Sequence, residues 1–248
     1  MNTGEWIKVL GIPNDAIVDR NFPKKILYQN AELSSSEKEL IKDGVKRLRW
    51  LASIKENNTN VPKYEDEKVR YEEIQYFFLE VSSQDMASKI SKFLFNSVPY
   101  PQVLIISFEE KYHFQMALTK KNLSDTNSLI LENVYVSQWK TMDSMAIREE
   151  LSPYHYSNQK MTNLKEYYES LLVILLSDTV SISGKNRLGS SKEVIQFFDE
   201  FQELDEEIQK LMKLVKLEKQ LNKRIELQLK LTQLKNQQKK LLSEYRGD

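Results

Sequence analysis

The chain has 248 residues, 40% hydrophobic and 10% aromatic, and no cysteine, which excludes a disulfide framework, a thiolate zinc site and a cysteine nucleophile together. Lysine plus arginine equals aspartate plus glutamate at 36 each, so no overall field draws the protein toward nucleic acid or membrane, and any such attraction is local. The start, MNTGEWIKVLGIP, has neither the basic cluster nor the apolar run of a signal peptide, and the apolar run Leu171 to Leu176 is too short to span a bilayer, so a cytoplasmic protein with no membrane association is expected.

The first sixty residues read as short helical pieces followed by one good helix. Ser36 and Glu39 have the spacing of a capping box. The helix predicted after them carries Leu40, Ile41, Val45, Leu48, Leu51, Ala52 and Ile54 on one broad face and stops in KENNTNVP. Trp50, beside that face, is expected at the core edge.

Strand chemistry comes next. YEEIQYFFLEVS alternates Ile74, Tyr76, Phe78 and Glu80 against Gln75, Phe77, Leu79 and Val81. QVLIISFEEKYHFQMALTK reads as two antiparallel strands joined at Glu109-Glu110-Lys111, and SLILENVYVSQW as a further strand. Between the first and second of these lies a helix pattern, Met86, Ile90, Phe93 and Leu94, closed by VPYP. The order is that of an α+β fold, a small, mostly antiparallel sheet with one face covered by helices.

After Trp139 come helical pieces, including LKEYYESLLVILLSD, and then SISGKNRLGSS, whose glycines and serines read as a hinge. The expected organisation is a globular domain over 1–180, a hinge over 181–191 and a coiled coil over 192–248. Lys192 to Tyr245 contains no Gly or Pro; as one straight helix it would reach about 80 Å, and a kink or hairpin would shorten it.

Along this segment one heptad series runs Phe201, Leu204, Ile208, Leu211, Val215, Glu218, Asn222, Ile225 and Leu229, in steps of three and four, which is a coiled-coil seam. A second runs Leu227, Leu231, Leu234, Gln238 and Leu241 on roughly the opposite side. Where they overlap, Ile225, Leu227, Leu229 and Leu231 alternate with polar residues as a strand would. The expected reading is a helix on which one seam ends and another, facing a different neighbour, begins. Asn222 in the first seam reads either as a register-setting residue or as a solvent-facing position. Charge is segregated as well: Glu193 to Glu207 is nearly all acidic, while Lys210 to Arg246 holds eleven basic residues against Glu218, Glu226 and Glu244. With no aromatic residue before Tyr245 for base stacking, this basic half is expected to meet protein, with Lys223 and Arg224 as candidate nucleic-acid contacts.

Catalytic signatures are missing. Six glycines form neither a P-loop nor a dinucleotide spacing, so no cofactor is expected. His113 and His155 lack partners at metal-ligand spacing and read as structural. The magnesium-holding pattern of restriction-type nucleases, a strand aspartate followed by Glu-x-Lys on the next strand, has only Glu109-Glu110-Lys111 as candidate, in a turn. No catalytic or metal residues are therefore assigned. Lys24-Lys25 and Lys120-Lys121, each beside apolar anchors, are candidate anion or nucleic-acid contacts.

Three segments in order, Pro-Lys-Lys at 23–25, Pro-Tyr-Pro at 99–101 and EKQLNKRIEL at 218–227, carry a resemblance that covers nearly the whole chain. The sequence resembles a bacterial domain-of-unknown-function family, departing from its pattern at Leu221 and Gln228, where the family shows an aromatic residue and an asparagine. The resemblance implies a small accessory protein encoded beside helicase and DNA-methyltransferase genes in restriction-like, phage-defence contexts, and supplies no catalytic residues. The expectation is a non-enzymatic assembly or targeting subunit of a DNA-processing complex, bound to other proteins or to a second copy of itself. A nucleic-acid-binding module and an unrecognised nuclease are the alternatives.

Overall fold

The computed structural model describes residues 1–29, 33–125, 128–142, 146–179 and 190–246. The chain divides into two units, Met1–Thr179 and Val180–Asp248. Of the expected hinge at 181–191, all but Ser190 and Ser191 lies outside the described residues.

In chain order the first unit runs α1 (Thr3–Val9), β1 (Ile17–Asn21), α2 (Lys24–Gln29), α3 (Ser35–Gly44), β2 (Val45–Lys55), α4 (Glu56–Thr59), β3 (Tyr64–Glu65), β4 (Arg70–Tyr71), β5 (Glu73–Val81), α5 (Met86–Ser97), β6 (Gln102–Phe108), β7 (Lys111–Lys121), β8 (Leu129–Val136), β9 (Lys140–Thr141), α6 (Ile147–Leu151) and α7 (Leu164–Thr179). The main sheet has the order β1-β2-β5-β6-β7-β8, with β9 on β7, while β3 and β4 form a separate ribbon. Among the described residues only β5 and β6 pair in parallel, because α5 carries the chain back across the sheet between them; the other pairings are antiparallel. The fold is α+β, as expected.

The expected helix through Ile54 is corrected. Ser34, not Ser36, is the cap: its hydroxyl accepts from the Glu37 N–H, and the Glu37 carboxylate accepts from the Ser34 N–H at 2.8 Å. The helix ends at Gly44, and Val45 already has extended backbone. From there the chain runs as strand β2, whose pairing with β5 is interrupted twice, between Val45 and Arg47 and between Trp50 and Ala52. Each irregularity flips the alternation of side chains, so the apolar residues recur at helix-like spacings of three and four. Edge strand β1 has its own irregularity, where Asp19 takes a positive φ of 39° and Arg49 clamps it, donating to its carboxylate and carbonyl at 2.7 Å.

The sheet is covered on both faces, not one, which is why β5 is buried almost throughout instead of alternating with solvent. On one face Phe77, Leu79 and Val81 pack with Leu104 and Ile106 beneath Ile90 and Leu94 of α5, Ile41 of α3 and Leu27 of α2. On the other, Trp6 of α1 meets Tyr112 edge-on at 5.2 Å, Tyr154 stacks on Phe114 at 4.5 Å, and Tyr76 and Tyr167 share a buried hydrogen bond of 2.6 Å. Tyr168 on α7 accepts from the Ala117 N–H and reaches the carbonyls of Ala117 and Gln102, tying α7 to the sheet.

The second unit is a helical hairpin, α8 (Ser191–Leu217) and α9 (Leu221–Arg246). The straight form of the C-terminal segment is thereby excluded: the helix leaves its course at Glu218, whose backbone is extended and whose carboxylate accepts from the Gln220 N–H at 2.8 Å.

Candidate functional site

The hairpin is built on one seam. Ile208, Leu211 and Leu234 are buried together, with Leu204, Met212, Leu227 and Leu231 half-buried around them. Val215 and Leu241 are half-buried too. Polar contacts brace the pair from outside: Gln238 donates to Asp205 at 3.3 Å, and Lys230 meets Glu207 at 3.7 Å. At the end away from the turn, Tyr245 stacks on Phe197 with centroids 4.2 Å apart and meets Phe198 edge-on.

The first predicted series does not continue through the turn. Its α8 part, Leu204 to Val215, packs on the second series, Leu227 to Leu241, so these two sets face each other within the chain instead of facing two separate neighbours. Glu218 is polar because it leaves the helix, and Asn222 is exposed in the first turn of α9. The strand-like alternation marks the two sides of α9. Ile225 and Leu229 point away from Leu227 and Leu231 by roughly 160°, and among the described residues of the unit they are left exposed.

That outer side is the candidate site. Leu221, Ile225 and Leu229 are 59%, 48% and 62% exposed, and Leu214 and Leu217, just before the turn, 51% and 76%. The row on α9 repeats every four residues and is about 12 Å long, the form that receives a helix better than it receives a point contact. Around the turn stand Lys210, Lys213, Lys216, Lys219, Lys223 and Arg224, all exposed, against Glu218 and Glu226. Aliphatic residues grouped this way on a surface normally mark an interaction site.

The other predicted residues are engaged locally. Lys24 donates to the Lys42 carbonyl at 3.1 Å and the Val45 carbonyl at 2.5 Å, closing the C-terminal end of α3, while Lys25 is exposed. Lys120 pairs with Glu132 at 3.3 Å, and Lys121 with Glu65 at 2.5 Å and with the Asp66 carbonyl. Salt bridges of this exposed kind contribute little stability.

His113 is 2% exposed and stacked on Trp139 at 4.0 Å; burial pushes its pKa down to about 4. His155 accepts at Nδ1 from the Ser157 N–H at 3.3 Å. Glu109 and Glu110 form the β6–β7 turn and Lys111 opens β7. Among the described residues no three His, Cys, Asp or Glu side chains converge as metal ligands.

One polar group had no sequence signal, because half of it falls in the stretch that reads as helix. Ser53 donates to Glu73 at 3.0 Å, Gln75 donates to both, Trp50 donates to Gln75 at 2.7 Å, and Lys55 pairs with Glu73 at 3.5 Å. With its one carboxylate engaged by Ser53, Lys55 and Gln75, the group closes the end of the β2–β5 pair.

Over residues 10–237 the chain matches the family described as Domain of unknown function (DUF4391), and it belongs to that family. No curated protein and no solved structure matches it.

Proposed function

We propose that this protein is a non-enzymatic assembly or targeting subunit that docks on another protein through the outer face of its C-terminal hairpin. The observation that carries the reading is the row Leu221, Ile225 and Leu229, left uncovered by a hairpin whose own seam is already complete. Fully burying a leucine or isoleucine stabilises by about 1.5–3 kcal/mol; these are roughly half exposed, so closing a partner over three of them contributes on the order of 2–5 kcal/mol. The cations around the turn favour a partner with an apolar ridge and acidic rims. The setting we infer is a DNA-processing, restriction-like defence complex, on the strength of the resemblance alone, with a helicase or DNA methyltransferase as partner.

The exposed turn cations also favour a second reading, contact with nucleic acid through Lys223, Arg224 and their neighbours. Phosphate makes no use of an aliphatic row, so the two readings separate on the leucines. A tagged full-length chain recovered from its native host should retain a partner that Leu221→Gln, Ile225→Gln and Leu229→Gln together release, with the melting temperature unchanged. Recovery of the same proteins by both forms would overturn the docking reading. Retention that survives the triple variant but falls steeply with salt would replace it with the nucleic-acid one.

A further inference from the structure

The first unit holds an open cleft of about 310 Å³ lined by Glu5, Lys8, Val9, Arg148, Ser152 and His155. Lys8 stands in the last turn of α1 and Arg148 in α6, both exposed, and among the described residues neither has an ion-pair partner. Glu5, the one acid on the wall, has its carboxylate held by the Asn2 N–H at 2.6 Å in the cap of α1. Two cations and an imidazole thus line one hollow against the single Glu5 carboxylate, which leaves the lining with an excess of positive charge that favours an anion.

The wall is fixed before any ligand arrives. The Tyr156 N–H donates to the Leu10 carbonyl at 2.8 Å, Asn158 to the Ser152 carbonyl at 2.8 Å, and Gln159 to the carbonyls of Pro153 and His155 at 2.6 and 3.0 Å. His155 lies on the backbone of Gly11: a Cβ there would come within 2.0 Å of Nε2, and Gly11 has a φ of +61° that also favours glycine. The Nδ1 edge of the ring is turned to Ser157, 2.9 Å from its Oγ and 3.3 Å from its N–H, which leaves Nε2 as the other polar atom of the ring. The cleft therefore offers a guanidinium fork, an ammonium, an imidazole and the Ser152 hydroxyl, with Val9 as an apolar side.

We propose that this cleft binds a phosphate group, either free phosphate or the end of a small phosphate ester whose body rests on Val9. A tetrahedral dianion has oxygens for several donors at once, and charge-assisted hydrogen bonds from Arg and Lys are the strong kind. Titration calorimetry of the full chain with inorganic phosphate, at constant ionic strength in chloride, should show one saturable site with a Kd on the order of 1 mM or tighter. Lys8→Ala with Arg148→Ala should weaken it at least about tenfold without lowering the melting temperature, since both side chains are exposed. Phenyl phosphate binding more tightly than inorganic phosphate would assign an ester; equal binding would assign the free ion. Lys25→Ala with Lys42→Ala removes the same charge elsewhere and should leave binding intact. Absence of a saturable site, an unchanged Kd in the cleft variant, or an equal loss in the control variant would overturn the proposal.

Discussion

Phe197, near the start of α8, and Tyr245, near the end of α9, stack with their ring planes 20° apart and so clasp the open end of the hairpin. Aromatic pairs contribute about 0.5–1.5 kcal/mol beyond the area they bury. Tyr245→Ala should therefore fray the last turns of α9, with a loss on the order of 3 kcal/mol or more, as buried aromatic truncations show. Tyr245→Phe should recover most of it. Amide hydrogen exchange of the last turns of α9 checks both.

Position on α9 should decide what a leucine does. Leu234 is buried in the seam, so Leu234→Ala should cost about 2–5 kcal/mol in unfolding of the hairpin. Leu229→Ala, on the outer side, should stay within about 0.5 kcal/mol, although its side chain is the same. Paired denaturation curves test the assignment of the two sides, and similar costs at both positions would refute it.

His113 should make stability depend on acid. Its folded pKa of about 4 lies below the ordinary value of 6.5, so above 6.5 the ring is neutral whether the chain is folded or not. As pH falls from 6.5 toward 4, the unfolded chain takes up a proton that the folded one refuses, and stability drops, by about 3 kcal/mol at the limit. His113→Phe, which keeps the stacking surface against Trp139, should flatten the slope of unfolding free energy with pH in that window.

The two lysines of the first pair should behave differently. Lys24→Met removes donors to two carbonyls at the end of α3 and should cost about 1–2 kcal/mol, whereas Lys25→Ala should be nearly silent. Midpoints of chemical denaturation measure both, and equal effects would contradict the capping role.

Much of the sheet is legible in the sequence because period-two patterning survives where strands are regular: β5 through β8 and the helix between β5 and β6 sit where alternation and helical spacing put them. β2 is not legible, since two irregularities turn its apolar residues into a helix-like series, 45, 48, 51, 52 and 54. The α3 cap is ambiguous for a different reason. Ser34-Glu37 and Ser36-Glu39 share one spacing, so the motif alone does not tell them apart, and the hydrogen bonds between Ser34 and Glu37 decide it. The turn at Glu218 has neither Gly nor Pro and is made by a side chain bonding two residues ahead, so the residues there read as uninterrupted helix. For the candidate site, two stripes on α9 are readable from spacing alone. Which of them faces α8 depends on the hairpin register, and no local pattern contains that.

If the outer face of α9 touches another protein, a photo-crosslinking amino acid placed at Ile225 of the full chain in its native host will capture that protein. The same probe at Glu203, on the exposed acidic stretch of α8, serves as the comparison. Docking through the leucine row predicts a discrete protein adduct from position 225 that persists after nuclease treatment and is missing from position 203. An adduct pattern shared by the two positions, or no protein adduct at 225, would contradict it.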